Sequence, residues 1–167
     1  GEFELSSEVV IALRFLAIEK SIRLRSRDRV ASDLTLRSFD YDYHIDGSDL
    51  RLTGRVEGAA LQVTIVAGGQ PNEQSHALDE PLYPAAAIAF MPLHRGLAVG
   101  RALDYLVYDG QTQQLARVAQ RVAAYQRSEL FDGPAYRVET VMHGLTTTTW
   151  TRGDGLPLFE LGLGGVM

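Results

Sequence analysis

Four aspartates stand close together in this chain: Asp40, Asp42, Asp46 and Asp49. Carboxylates this close can hold calcium, or act as the paired acid and base of a glycoside hydrolase. The spacing, however, is not the Asp-x-Asp-x-Asp-Gly pattern of an EF-hand loop. Asp40 and Asp42 share one face of an alternating segment, and Asp46 and Asp49 flank a turn. They read as the polar outer face of a sheet. The histidines His44, His76, His94 and His143 show no His-Glu-x-x-His or other short metal-ligand spacing. A serine hydrolase needs a nucleophile, a base and an orienting acid. No Gly-x-Ser-x-Gly elbow occurs, and Ser38, Ser48, Ser75 and Ser128 fall in strand or turn contexts. There is no cysteine, which removes disulfides, thiolate metal sites and cysteine nucleophiles together. Gly162-x-Gly164-Gly165 lacks the preceding strand and the lysine of a phosphate loop. No catalytic residue, metal ligand or cofactor is therefore expected.

The remaining side chains with binding potential are basic and aromatic. Arg23, Arg25, Arg27 and Arg29 form a basic run interrupted by Asp28. It reads as a solvated strand edge or turn in preference to an anion or lipid-headgroup site. The chain's net charge of -5 and pI near 5.3 disfavour nucleic acid as a partner. Among the aromatics, Tyr41, Tyr43 and Trp150, with Phe90 and Met91, are the candidates to line an apolar ligand site. Such a site would lie between the concave face of a sheet and a short helix. A filled aromatic core is the competing reading.

These residues need a scaffold, and 167 residues are enough for one domain with a real core. Hydrophobic residues at 46% and charged residues at 22% exclude a disordered chain. No run approaches the ~18 apolar residues of a membrane-spanning helix. Gly1-Glu2-Phe3-Glu4-Leu5 resembles sequence encoded by restriction sites. The expectation is that 1–7 derives from cloning and that 8–167 is a single β-rich domain cut from a longer protein.

Val9 to Ala17 suits helix or strand, since Val9, Leu13, Leu16, Ala17 and Lys20 have helical spacing. Ile18–Arg27 reads as strand because Ile22 and Leu24 alternate with Arg23 and Arg25. From Leu34 to Ile45, Phe39, Tyr41, Tyr43 and Ile45 face one way and Ser38, Asp40, Asp42 and His44 the other. Asp46-Gly47-Ser48 and Gly58-Ala59-Ala60 turn the chain, giving a three-strand meander with one apolar face. Gly68 to Glu73 reads as a loop and Gln74–Leu78 as a short strand. Pro84 to Met91 is the expected helix, with Pro92 ending it. Leu103–Tyr108 is a strand, and Thr112 to Tyr125 is placed as strand despite its helix-prone alanines and glutamines. Phe131 to Pro134 is a turn and Tyr136–Met142 a strand. A hairpin closes the chain, with Leu145–Thr151 and Leu156–Leu161 flanking Gly153-Asp154-Gly155. The fold class is mainly β: a strongly twisted antiparallel sheet or half-barrel with one short helix packed on it.

Three segments carry a family resemblance. Gly96-Leu97-Ala98-Val99-Gly100 leads into Leu103–Asp109, Tyr136-Arg137-Val138-Glu139 follows a turn, and Thr149-Trp150-Thr151 precedes Asp154-Gly155. This order resembles the β-rich region that precedes the catalytic domain of bacterial transglutaminase-like proteins. It is also similar to periplasmic DUF3108 domains, whose sheet resembles the half-barrel of lipoprotein carriers. The likeness spans Leu34 to Gly165. It implies a non-catalytic domain in the periplasm or elsewhere in the cell envelope. The Cys-His-Asp triad would then belong to a following domain. The functional expectation is an accessory domain that positions a partner or substrate for a neighbouring catalytic domain. The alternative is a carrier or sensor of an apolar ligand, such as a lipid or lipidated peptide, held by Tyr41, Tyr43, Phe90, Met91 and Trp150. A hydrolase or calcium module on Asp40–Asp49 ranks last.

Overall fold

The computed structural model describes residues 1–15, 18–162 and 165–166. Leu16 and Ala17, part of the helical alternative above, lie outside the described residues, as does Gly164 of the terminal glycine group. The chain divides into two compact units. Gly1–Ala86 with Tyr108–Gln114 forms the first, and Ala87–Val107 with Leu115–Met167 the second.

The first unit is a six-stranded antiparallel meander in chain order. Its strands are β1 (Glu2–Phe15), β2 (Ile18–Ala31), β3 (Leu36–Ile45), β4 (Ser48–Glu57), β5 (Ala60–Ala67) and β6 (Gln70–Ala77). The segment left open between helix and strand is strand, because every residue from Glu2 to Phe15 finds a partner in β2. Residues 2–7, set aside above as cloning sequence, are the first half of β1. The loop expected over 68–73 is only a two-residue turn. Gly68 and Gly69 have φ of 57° and 79°, the paired positive angles of a tight hairpin turn. Gln70 already pairs with Ala67, and Glu73 with Thr64.

β7 (Leu82–Pro84) follows, then a 3-10 helix over Ala85–Ala89 and a four-residue helix, α1 (Met91–His94). The single helix expected over Pro84 to Met91 is thus corrected. Pro92 lies in the first turn of α1 and does not close a helix. First-turn N–H groups have no intrahelical acceptor, so proline loses nothing there. A five-residue alanine-rich stretch is also too short to offset the cost of α-helix nucleation.

β8 (Ala102–Asp109) begins in the second unit, and its last two residues belong to the first. The second unit continues with β9 (Gln114–Ser128), β10 (Phe131–Met142), β11 (Leu145–Thr151), β12 (Pro157–Gly162) and β13 (Gly165–Val166). These strands run β13-β12-β11-β10-β9-β8 across their sheet. β9 is strand as expected. Ala116, Val118, Gln120 and Val122 alternate into the core, and alternate burial overrides helix propensity. The turn expected at Phe131 to Pro134 is instead the start of β10. Phe131 pairs with Ser128, and the register shifts before Pro134, where a proline is tolerated in a ladder.

Buried Gln120 fastens four elements of the second unit. Its Oε1 accepts from the Tyr105 hydroxyl at 2.7 Å, and its Nε2 donates to the Ile88 carbonyl at 3.1 Å and to Thr140 Oγ1 at 3.0 Å. A buried amide satisfied on both ends fixes one arrangement where an apolar side chain would permit several.

The first unit's core is set by one close approach. A Cβ added at Gly54 would overlap the ring of Phe39, the residue directly opposite it in β3. Phe39 is buried and stacked, so the ring has nowhere to retreat. Gly54→Ala is expected to lower the urea midpoint by an amount equivalent to roughly 1–3 kcal/mol, the usual penalty for overpacking. An unchanged midpoint would show that the ring is free to move.

Candidate functional site

On β2, Ile22, Leu24, Ser26, Asp28 and Val30 alternate onto one face of the meander, here called inner. That alternation drives a carboxylate into the apolar side. Asp28 is 1% exposed. Across the ladder it faces Phe39, with Ser26 facing Tyr41. From that position the Tyr41 hydroxyl reaches diagonally and donates to Asp28 Oδ1 at 2.6 Å. The Phe39 ring stacks on Tyr41 at 4.4 Å between centroids and on Tyr108 at 5.0 Å. Tyr43 stacks on Tyr41 at 5.9 Å, and the His76 ring meets Tyr108 edge-on at 5.8 Å. The Asp109-Gly110 turn presses on the same group, since a Cβ at Gly110 would stand 2.6 Å from the Tyr43 hydroxyl. Asp109 itself is held by its own turn, accepting from the Gln111 N–H and the Thr112 hydroxyl.

This cluster has unusual electrostatics. Burial pushes the Asp28 carboxyl up to about 6, opposed in part by the Tyr41 hydrogen bond. Burial first, and then the charge of Asp28, drive the Tyr41 hydroxyl far above its ordinary range. Tyr43 and Tyr108 are each pushed up to about 12, again chiefly by burial, with Asp109 adding to both. Asp28 Oδ2, the Tyr108 hydroxyl and His76 Nε2 are buried without a hydrogen-bond partner among the described residues. Chemically the group can hold or release a proton near pH 6.

The sequence candidates divide between the units. Tyr41 and Tyr43 belong to this cluster. In the second unit Met91 is buried, Phe90 is half exposed, and Trp150 is buried between Phe131 and Phe159 at 6.3 and 5.7 Å. Asp28, Tyr108 and His76 were missed. The signal for Asp28 was present: read with a period of two, the arginine run places it with Leu24 and Val30.

The outer face of the meander carries the residues first considered for chemistry. Arg51 pairs with Asp40 at 3.0 Å and Asp42 at 3.8 Å, and His44 Nδ1 lies 2.7 Å from Asp49 Oδ1. Asp46 Oδ1 accepts from the Ser21 backbone N–H. Each aspartate of the group therefore has a partner, with Arg51 shared by Asp40 and Asp42. Among the described residues no three His, Asp or Glu side chains stand together as a metal site. No helix among them is long and apolar enough to cross a membrane.

The class these features define is a mainly β chain of antiparallel sheets with short helical turns. Among solved structures it is similar to a β-barrel-like protein of domain family DUF1849 from Brucella abortus, with a TM-score of 0.61 and 8% identity. That match covers 83% of this chain and 66% of the other, so this chain spans just under two thirds of that protein's resolved length. It is also similar to a DUF1089 family protein from Pseudomonas aeruginosa, with a TM-score of 0.50 and 18% identity over 99% of this chain and 92% of that one. At these identities the likeness shows the fold. No family profile matches the sequence, and no curated protein does.

Asp28 makes stability depend on pH. Its folded value near 6 lies above the ordinary 3.8, so folding favours the protonated form. That contribution is complete below about pH 4 and is lost as pH rises through about 6, amounting to roughly 3 kcal/mol at most. Asp28→Asn should leave the protein comparatively more stable at pH 7 than at pH 4. Urea midpoints of both proteins at the two pH values test this, and parallel pH dependences would contradict it.

Proposed function

We propose that this chain is a recognition domain and not itself a catalyst, and that the surface it recognises is apolar. The observation that carries the reading is an uncovered strip on the inner face of the meander. Phe3, Val9 and Ile11 of β1 are 56%, 43% and 39% exposed, and Ile45 of β3 is 42% exposed. Leu5, Ile22, Leu24, Tyr43 and Leu50 on the same face are only half-buried. The other half of this face holds Val30, Phe39, Leu52, Leu61 and Val63, all buried. An exposed apolar strip, broken midway by the hydrogen-bonded pair Ser7 and Ser26, marks a surface that something else covers. From Phe3 to Ile11 it runs about 27 Å along the strand.

An open strip suits a flat partner surface better than an enclosed lipid. The reading is therefore an accessory domain of a cell-envelope protein that positions a partner or substrate for a neighbouring domain. A transglutaminase-like catalytic neighbour and kinship with DUF3108 belong to this proposal, supported by the resemblance of 96–109, 136–139 and 149–155. A carrier of a lipid or lipidated peptide is the second reading, and the same strip would serve it.

The test is a titration of the folded protein with anilinonaphthalene sulfonate, beside an Ile11→Asp/Ile45→Asp variant. The account expects saturable fluorescence enhancement that the variant loses at least several-fold while keeping its melting temperature. Enhancement that is absent, or equal in both proteins, would overturn it. Stoichiometric oleate binding at the strip would move the reading to the carrier.

A further inference from the structure

The outer face of the meander is polarised in a way that charge pairing alone does not require. Cross-strand rows run straight over it. One row reads Glu8, Arg25, Asp42, Arg51, and its charges are closed: Arg25 pairs with Glu8 at 3.0 Å and Arg51 with both Asp40 and Asp42. The neighbouring rows read Ser6, Arg27, Asp40, Thr53 and Glu4, Arg29, Ser38, Arg55, Gln62. Here Arg27, Arg29 and Arg55 are exposed and make no ion pair among the described residues. Glu4 stands opposite Arg29 in the register, yet no bridge joins them.

Arg29 and Arg55 flank Ser38 directly, two strand spacings or about 10 Å apart, with Arg27 about 7 Å along β2 from Arg29. They line a groove of about 500 Å3 floored by Ser38, Thr53 and Gln62. The carboxylates in its wall are Glu4, Asp40 and Glu57, of which Asp40 is already engaged by Arg51. We propose that this groove binds a phosphomonoester, gripped by Arg29 and Arg55 from either side of Ser38 and reached by Arg27. The guanidinium fork offers two parallel donors to adjacent phosphate oxygens, and the hydroxyl and amide floor supplies further donors. The volume suits a sugar phosphate or a lipid headgroup. In a chain of net charge -5, general attraction for anions does not account for binding, so any affinity is local.

The experiment titrates the folded chain with glycerol 3-phosphate, and separately with phosphatidylcholine vesicles with and without phosphatidic acid. The proteins compared are the parent chain, Arg29→Ala/Arg55→Ala, and Arg23→Ala as a control outside the groove on the same face. Saturable binding is expected, with Kd raised roughly ten-fold or more in the double variant, as loss of two charge-assisted contacts implies. Arg23→Ala, which removes the same charge from outside the groove, should bind as the parent does. Binding of glycerol 3-phosphate identifies a soluble phosphate as the source, and binding of phosphatidic acid vesicles alone identifies a headgroup. Absence of saturable binding to both probes would overturn the proposal, and so would equal binding by the double variant. All variants are at exposed positions on the face opposite the apolar strip, so failure here leaves the recognition reading untouched.

Discussion

The first unit depends on the close approach of the Phe39 ring to Gly54. Strand pairing sets the two residues opposite each other, and the absence of a side chain on β4 leaves the space that the ring occupies. Tyr41 and Tyr108 both stack on that ring. Tyr41 in this position has its hydroxyl within reach of Asp28 and little else. The tight fit of the Asp109-Gly110 turn belongs to the same packing, and the alternation of β2 carries the Asp28 carboxyl into it. An aromatic stack this dense also explains why a carboxylate is tolerated there. The Tyr41 hydroxyl stabilises it, and protonation relieves what remains of the burial cost.

The same register divides the sheet into two faces of opposite chemistry. A slip of one residue between β2 and β3 would send Asp40 and Asp42 inward and Phe39 and Tyr41 into solvent, so the pairing is strongly specified. Neither face is used up by folding. Inside, the half nearest β1 is left uncovered. Outside, two rows leave their arginines open while the next row closes its charges. The edges differ as well. β6 carries Pro71 and Glu73, residues that discourage further strand pairing, whereas β1 is long and free of proline.

Much of this was legible in the sequence because period-two patterning is a direct consequence of strand geometry. Phe39, Tyr41 and Tyr43 were placed on one face and the aspartates on the other, and β9 was recognised as strand against its helix propensity. What escaped was of two kinds. Local boundaries failed where a single residue can serve two roles: Pro92 opens a helix as readily as it ends one, and Gly68-Gly69 makes a tight turn as readily as a loop. Long-range partners failed because sequence distance hides them. Tyr108 lies far along the chain from Phe39, and Gln120 from Ile88. Asp28 was the avoidable miss, because its charge was read with the arginines beside it and not with the face it occupies. Of the proposed ligand residues, Tyr41 and Tyr43 proved part of a packed cluster, while Met91 and Trp150 are buried in the second unit.

The central claim is that the uncovered inner strip is a recognition surface. A photoreactive amino acid can be placed at Ile45 on the strip, or at exposed Ser75 on the outer face as reference. Irradiation in cells that express the protein with its natural flanking sequence is the direct measurement. The account predicts a discrete crosslink from position 45, either to a flanking domain or to one envelope partner, with none from position 75. Equal crosslinking from the two positions, or none from position 45, would contradict it.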